Sequence, residues 1–269
     1  MSTRVGSTRA GSARPGSARP GSVQPGTTRT GVVWAAVHRV LESPGAFHEQ
    51  RASVVDIGGG TGGFAVPLAE LGHRVLVVDP NPDALATLAR RAADAGVTDL
   101  VTAVQGDVGD VIDLVTEACD LVLCHEVLEV LDDPAAALRA IGSILRPSGT
   151  LSLVVPGLHA AVVARAMAGH FQQALALLED PTGGAGQRSG RRFTPGEITT
   201  LLAASGLAPD AIHAARVFAD LVPGALVDSE PGAALALLEL EQAVFERPEY
   251  LALATHLHVL ARPIEGGSI

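Results

Sequence analysis

The stretch DIGGGTGG at residues 56–63 constrains the fold more than any other part of the sequence. It follows the apolar run SVV and precedes FAVPLAEL, whose apolar spacing is typical of a helix. Glycines in such a strand–loop–helix unit let the backbone approach a ligand closely, and the first helical turn presents unpaired N–H groups. The stretch therefore predicts a nucleotide-like ligand held over the end of a buried strand.

The glycine spacing leaves the identity of that ligand open. Gly58, Gly60 and Gly63 also fit the G-x-G-x-x-G pattern of dinucleotide sites. An NAD-linked oxidoreductase and enzymes with other nucleotide cofactors are both consistent with this loop.

Short apolar runs alternate with helical patterns along the first part of the chain. Strands are predicted at 53–58, 73–80, 100–107, 119–124 and 149–156, and helices at 33–41, 63–72, 81–96 and 133–145. This alternation predicts an α/β fold whose parallel sheet carries helices on both faces.

The last third of the chain breaks this alternation. One long helix is predicted over 158–178, and a capping box of Thr194 and Glu197 begins a helix that reaches Ser205. Strands are predicted over 215–222 and 257–262, with a Leu/Glu-rich helix between them.

Three acids stand at successive predicted strand ends. Asp79 is placed to accept both hydroxyls of an adenosine ribose, a role common to NAD and S-adenosylmethionine sites. Asp56, two residues before Gly58, suits a cationic ligand such as the amino-acid end of a sulfonium cofactor, and Asp107 can accept the exocyclic amine of adenine. Each acid alone could instead cap a helix, but together they are expected to face one crevice.

The stretch CHEVLEVLDDP, residues 124–134, combines a thiol, an imidazole and several carboxylates. By composition it fits a metal site, a hydrolase site or a cofactor lid. Cys119 and Cys124 suit neither a disulfide framework nor a paired zinc knuckle, so both are expected to be reduced. Asp132 and Asp133 are expected to cap the helix that follows.

The N-terminal segment differs in composition from the rest of the chain. Residues 5–29 repeat in fives as VGSTR, AGSAR, PGSAR, PGSVQ and PGTTR, so residues 1–26 are expected to be disordered and 27–269 to form the folded domain. Five arginines and no acids lie in the first 30 residues, whereas the remaining 14 arginines face 29 acids. A polyanion is repelled by such a body unless a local arginine cluster receives it.

The sequence contains neither a signal-peptide core nor an apolar stretch of membrane-spanning length. A cytoplasmic protein without membrane association is therefore expected. The oligomeric state is left open.

The chain resembles the class I S-adenosylmethionine-dependent methyltransferases. The motifs VVDIGGGTGG, VLVVDPNPDAL, QGDV, LVLCHEVLEVLDDP and LRPSGTLSLVV stand in that family's order over about residues 50–156, with Ser148 in place of a usual glycine. The resemblance implies a Rossmann-like, mostly parallel seven-stranded sheet with an antiparallel last strand and helices on both faces. It also implies S-adenosylmethionine as cofactor, a cofactor half at 50–156 and substrate-side elements at 157–262.

Within that family the chain is similar to the tRNA 5-carboxymethoxyuridine methyltransferases. TTRTGVVW, CHEVLE, MAGHFQQAL, RVFADLVP, LLELEQAV and PEYLALATHLHVLAR carry this similarity from about Arg29 to Arg262. The resemblance implies that tRNA is the partner and that the cofactor is contacted by Arg29, Gly58, Gly59, Asp79, Gln105, Gly106, Asp107 and His125. The neighbouring Asp56 and Gly60 are expected to join them. Glu126 or Glu129 is expected to face the substrate pocket or to cap a helix.

The acceptor in that subgroup is the carboxylate of a wobble uridine. A carboxylate is already ionised, so the transfer needs alignment and an orienting cation rather than a general base. Arg191, Arg192 and Arg216 are the candidates for that cation, and Tyr250, His256 and His258 are expected to pack. Pro156 and Gly157 stand where the subgroup has a Tyr-Asn pair, so a small-molecule acceptor stays open, as does a module that binds the cofactor without catalysis.

Overall fold

The computed structural model describes residues 29–43, 51–182 and 190–264. The predicted disordered tail, residues 1–26, lies outside the described residues. The strands are β1 (Ser53–Ile57), β2 (Arg74–Asp79), β3 (Val101–Gln105), β4 (Cys119–His125), β5 (Leu145–Pro156), β6 (Leu207–Ala215) and β7 (His256–Pro263). The helices are α1 (Gly31–Glu42), α2 (Ala65–Glu70), α3 (Pro82–Asp94), α4 (Val111–Leu114), α5 (Pro134–Ile144), α6 (Leu158–Met167), α7 (Phe171–Glu179), α8 (Pro195–Ala204), α9 (Gly224–Ser229) and α10 (Ala233–Phe245).

The strands of the described chain form one seven-stranded sheet in the order β3-β2-β1-β4-β5-β7-β6. Strands β1 to β5 pair in parallel, and β7 runs antiparallel to both β5 and β6. This confirms the expected mostly parallel sheet with an antiparallel last strand. The strand order reverses between β1 and β4, and in open α/β sheets the ligand crevice lies at the carboxyl ends of the strands at such a point.

Helices cover both faces of the sheet, as expected. Val54 of β1 lies in one buried cluster with side chains of α1, α2, α3 and α10, whereas Val55 lies in the other with side chains of α4, α5 and α8. Neighbouring strand residues point to opposite faces, so one short strand supplies both cores. A fully buried leucine such as Leu68 or Leu138 contributes about 2 kcal/mol to folding.

The predicted helix starts are confirmed by their capping bonds. Asn81 accepts hydrogen bonds from the N–H groups of Asp83 and Ala84. Of the two acids expected to cap α5, Asp133 is the N-cap and accepts a hydrogen bond from Ala136, whereas Asp132 precedes the cap. Thr194 and Glu197 form the reciprocal capping box of α8.

Two predictions for the last third are wrong. The apolar stretch 158–178 forms two helices because Gly169 adopts φ +79° after α6, a conformation that ends a helix. The strand predicted over 215–222 lies earlier, at Leu207–Ala215, because Arg216 turns the chain with φ +57°. Pro209 is tolerated because β6 is an edge strand with a register shift between Pro209 and Ala211.

None of the helices in the described ranges combines the length and the apolar character that a bilayer crossing needs.

Candidate active site

The glycine loop after β1 needs glycine at three positions. Gly58, Gly60 and Gly62 adopt φ of +69°, +54° and +79°. A Cβ atom on Gly58 would lie 2.4 Å from Cγ2 of Val127, and one on Gly62 would lie 2.3 Å from Cδ1 of Leu88. By contrast, a Cβ atom on Gly63 meets open space. The third constrained glycine is therefore Gly62, which the dinucleotide spacing does not identify.

Asp79 joins the end of β2 to this loop. Its Oδ2 accepts a hydrogen bond of 2.8 Å from the N–H of Gly60, and its Oδ1 accepts one of 2.8 Å from the N–H of Asn81. The carboxylate is therefore fixed beside the loop, and its role in ribose binding stays a prediction.

Asp56 lies buried beneath the same loop. A Cβ atom on Gly59 would come within 2.6 Å of the Asp56 carboxyl group, so this glycine leaves room for the acid. Burial, and secondarily the charge of Asp79, raises the pKa of Asp56 to about 7. Neither acid forms an ion pair with any residue of the described chain. Two neighbouring carboxylates without a cation fit a positively charged ligand such as S-adenosylmethionine.

The turn after β3 closes against Asp79. The N–H of Gly106 donates to the carbonyl of Asp79 at 3.3 Å, and Nε2 of Gln105 donates to the carbonyl of Pro80 at 3.2 Å. Asp107 is exposed and accepts a 2.7 Å hydrogen bond from the N–H of Gly109. The structure therefore brings the predicted residues of β1, β2, β3 and the loops after them together at the carboxyl ends of these parallel strands.

His125 ends β4 beside the glycine loop. Its Nε2 lies 2.9 Å from Oγ of Ser152, and its ring meets Phe64 edge-on at 4.7 Å between centroids. Burial lowers the pKa of His125 to about 3, so the imidazole is neutral at physiological pH. Phe64 also contacts Trp34 of α1 at 5.8 Å, which brings α1 to the site.

Arg29 lies in a separate ion cluster. Its Nε pairs with Oδ1 of Asp220 at 2.9 Å, and its carbonyl accepts a 3.4 Å hydrogen bond from Nε of Arg216. The guanidinium that is expected to hold the methionine carboxylate is thus engaged by Asp220 in this structure.

Two strained residues with opposite charges face each other across the strand ends. Glu126 after β4 and Arg216 after β6 each adopt φ +57°, and no other non-glycine residue of the described chain has a positive φ. Nη2 of Arg216 lies 2.8 Å from Oε1 of Glu126, and Nη1 lies 3.1 Å from Nε2 of His256. Left-handed backbone costs about 1–2 kcal/mol per residue, and such strain clusters at functional sites.

Two further charged side chains keep unused hydrogen-bonding atoms. Oε2 of Glu129 and Nε of Arg192 are buried and have no hydrogen-bond partner within the described part of the chain. Burial and the charge of Glu126 raise the pKa of Glu129 to about 7, while burial and Arg165 lower the pKa of Arg192. The guanidinium of Arg191 instead lies 6.0 Å from the centroid of the Phe193 ring.

Both cysteines of β4, Cys119 at its start and Cys124 next to His125, are free and buried. Burial raises the pKa of both Cys119 and Cys124 to about 12, so neither supplies a thiolate nucleophile at neutral pH. Among the residues that the structure describes, no three His, Cys, Asp or Glu side chains are grouped closely enough to hold a metal ion.

Sequence reasoning missed several of these residues. Phe64, Arg165 and Ser152 carry no motif of their own, and only the sheet and helix packing brings them to the site. His256, which was expected only to pack, contacts Arg216.

Comparison with known proteins agrees with this geometry. The methyltransferase domain model matches residues 55–153. The chain is 30% identical over 238 residues to the tRNA 5-carboxymethoxyuridine methyltransferase of Escherichia coli (strain K12), covering 86% of each protein. It is 39% identical over 107 residues to a ubiquinone biosynthesis O-methyltransferase of Xanthomonas campestris pv. campestris (strain B100), covering 38% of this chain and 42% of that protein.

A solved structure shows the same fold. The magnesium protoporphyrin IX methyltransferase of Synechocystis PCC 6803, with bound SAH, superposes with a TM-score of 0.58 at 14% identity and covers 92% of this chain and 90% of that one. These relatives decide between the cofactors that the glycine spacing left open, in favour of S-adenosylmethionine. The chain belongs to the class I S-adenosylmethionine-dependent methyltransferases.

Proposed function

We propose that the enzyme esterifies the carboxylate of a 5-carboxymethoxyuridine at the wobble position of tRNA. The observation that carries this proposal is the similarity to the Escherichia coli enzyme over 86% of both proteins. Similarity of that extent includes the substrate-side elements after residue 156 as well as the cofactor half. A cytoplasmic location follows from this substrate.

Under this proposal the residues around the glycine loop hold the cofactor, which supplies an electrophilic methyl group when bound. Asp79 accepts the ribose hydroxyls, and the turn from Gln105 through Gly106 to Asp107 receives the adenine. Asp56 and the loop Gly58–Gly60 hold the amino-acid end, since a cation there stabilises the buried carboxylate. Arg29 releases Asp220, its ion-pair partner in this structure, and binds the methionine carboxylate instead. His125 also contacts the cofactor.

The acceptor carboxylate needs an orienting cation and no base. Arg192 is the strongest of the three candidates because its buried Nε is unused among the described residues. Arg216 is already paired with Glu126, and Arg191 lies over Phe193. A substrate carboxylate beside Arg192 also accepts a hydrogen bond from its Nε, a donor that is otherwise costly to bury without a partner.

Nucleoside mass spectrometry of bulk tRNA from a deletion strain tests the substrate. The methyl ester of 5-carboxymethoxyuridine should disappear, and its acid should accumulate. Complementation with Arg192→Gln should restore little ester, whereas Arg74→Gln, an exposed change at the amino end of β2, should restore it fully. Unchanged uridine derivatives in the deletion strain would exclude the tRNA proposal.

A small-molecule O-methyltransferase is the second candidate. The similarity to the ubiquinone biosynthesis enzyme favours it, but that similarity covers 38% of the chain. A methylated metabolite that disappears in the deletion strain while tRNA stays unchanged would support this candidate. Cofactor binding without transfer to any RNA or metabolite pool would instead indicate a non-catalytic module.

A further inference from the structure

Four polar side chains form a continuous hydrogen-bonded row through the apolar interior of the sheet. His125 Nε2 lies 2.9 Å from Ser152 Oγ, which lies 2.9 Å from His258 Nε2. His258 Nδ1 lies 3.0 Å from His213 Nδ1. The row crosses β4, β5, β7 and β6, and we call it the imidazole row.

Strand register explains why these side chains meet. His125 pairs with Val154, Val154 with His258, and His258 with His213, and paired residues share one face of the sheet. Ser152 lies two residues before Val154 and therefore shares that face. Its hydroxyl hydrogen-bonds to both His125 and His258, which the apolar side chain of Val154 between them cannot do.

The outer end of the row lies near the surface. The His213 ring stacks on Phe245 of α10 at 4.4 Å between centroids, with 11° between the planes. Phe245 lines a cleft of about 470 Å³ between α1 and α10, together with Arg39 and Glu246. The inner end, His125, faces the glycine loop through Phe64.

Each contact in the row needs one hydrogen atom. Burial lowers the pKa of His125 to about 3, that of His213 to about 4 and that of His258 well below its usual value, so each ring is neutral and carries one N–H. Because the Ser152 hydroxyl can donate one hydrogen bond and accept two, the tautomer of His258 decides the pattern. If His258 carries its N–H on Nδ1, Ser152 must donate to Nε2 of His258 and accept from the Nε2–H of His125. If His258 carries its N–H on Nε2, the row leaves the tautomer of His125 open.

The charge at the outer end selects between these two states of His258. Nδ1 of His213 faces His258, and the His213 ring stacks on Phe245, which Glu246 directly follows at the end of α10. The Glu246 carboxylate favours an N–H on the remaining nitrogen of His213, Nε2, so that Nδ1 of His213 accepts. His258 then donates from Nδ1 to His213, Ser152 donates to Nε2 of His258, and His125 donates from Nε2 to Ser152. The lone pair of His125 is left on Nδ1, for which no partner is found among the described residues.

We propose that Ser152, His258 and His213 are positioning residues that hold His125 as the Nε2–H tautomer and present the Nδ1 lone pair to the cofactor. This rests on the proposed placement of His125 in the cofactor site. A lone pair attracts the positively charged sulfonium of S-adenosylmethionine, whereas an N–H bond directed at it would repel it. The product S-adenosylhomocysteine has a neutral sulfur, so the row favours substrate cofactor over product.

Long-range ¹H–¹⁵N spectra of the cofactor-free protein read the tautomers directly. His125 should be the Nε2–H tautomer in the wild type and a mixture in Ser152→Ala, with recovery in Ser152→Thr. His213→Gln, which touches His125 only through the row, should change the same resonance. His73→Gln removes a buried histidine outside the row and should leave it unchanged.

The result that overturns the proposal is a His125 resonance of the Nδ1–H tautomer, or one that neither Ser152→Ala nor His213→Gln alters. Adding S-adenosylmethionine should shift the His125 Nδ1 resonance, and the absence of a shift would overturn its placement toward the cofactor. In His213→Gln the preference for S-adenosylmethionine over S-adenosylhomocysteine should fall about threefold to tenfold by calorimetry, the scale of one hydrogen bond. None of these measurements uses tRNA, so their results do not depend on whether tRNA is the methyl acceptor.

Discussion

The ionisation of the buried Asp56 is coupled to the binding of its ligand. Because its pKa lies at about 7, the carboxyl is largely neutral below that pH and anionic above it. A ligand with an ammonium group binds the anionic form better. The affinity for S-adenosylhomocysteine should therefore rise as pH increases from about 6 to 8, measured by calorimetry.

The Asp56→Asn variant is the control for that pH dependence, since Asn cannot ionise. Its affinity should be lower at pH 8 and should vary less across the range. Equal pH dependence in both proteins would assign the titration to another group, such as Glu129.

Asp79 supports the glycine loop and is expected to bind the ribose. Asp79→Ala removes the acceptor for the N–H groups of Gly60 and Asn81 as well as the ligand contact. We expect cofactor binding to weaken by about 1–3 kcal/mol, the cost of leaving such groups unpaired. Asp83→Ala, an exposed acid in the first turn of α3, should bind normally in the same titration. Unchanged affinity in Asp79→Ala would place the ribose elsewhere.

The sequence identifies residues whose role follows from local spacing. Asp56 and Asp79 are visible because each ends an apolar run beside glycines. The constraint on Gly62 comes from Leu88, and the bond to His125 comes from Ser152 on another strand. Such residues depend on tertiary packing, which no local pattern reveals.

At the scale of elements, α10 fixes the loop that follows β6. The fully buried Glu241 accepts hydrogen bonds from the N–H groups of Val217, Phe218 and Ala219, with distances of 3.1, 2.7 and 2.7 Å. These bonds hold the backbone next to the strained Arg216.

Glu241→Gln should lower the free energy of unfolding by about 1–3 kcal/mol, because the amide nitrogen of Gln cannot accept and leaves at least one of these buried N–H groups without its acceptor. Urea denaturation measures the change. Glu239→Gln, an exposed change on the same helix, should stay within about 0.5 kcal/mol of the wild type. Equal midpoints for the two variants would contradict the role of Glu241.

The first five strands could be predicted because each is an apolar run bounded by turn residues. The break between α6 and α7 could not, since the apolar periodicity continues through Gly169 and only its positive φ interrupts the helix. The position of β6 was missed because Pro209 and Asp210 argue against a strand. An edge position and a register shift remove that objection.

For the whole molecule, cofactor binding should appear as thermal stabilisation. A ligand at 100 times its dissociation constant stabilises the native state by about 2.7 kcal/mol. For a domain of this size we expect the melting temperature to rise by roughly 5–10 °C with S-adenosylhomocysteine. NADH at the same concentration should leave the melting temperature unchanged, and a rise with NADH alone would contradict the assigned cofactor.

The contact between Arg29 and Arg216 also bears on synthesis of the chain at the ribosome. The two residues are separated by 187 positions, and Asp220, the ion-pair partner of Arg29, is translated later still. The glycine loop and its acids emerge early, but Arg29 cannot be anchored until Arg216 and Asp220 have been synthesised. A nascent chain therefore has the binding loop long before it has the cluster that holds Arg29.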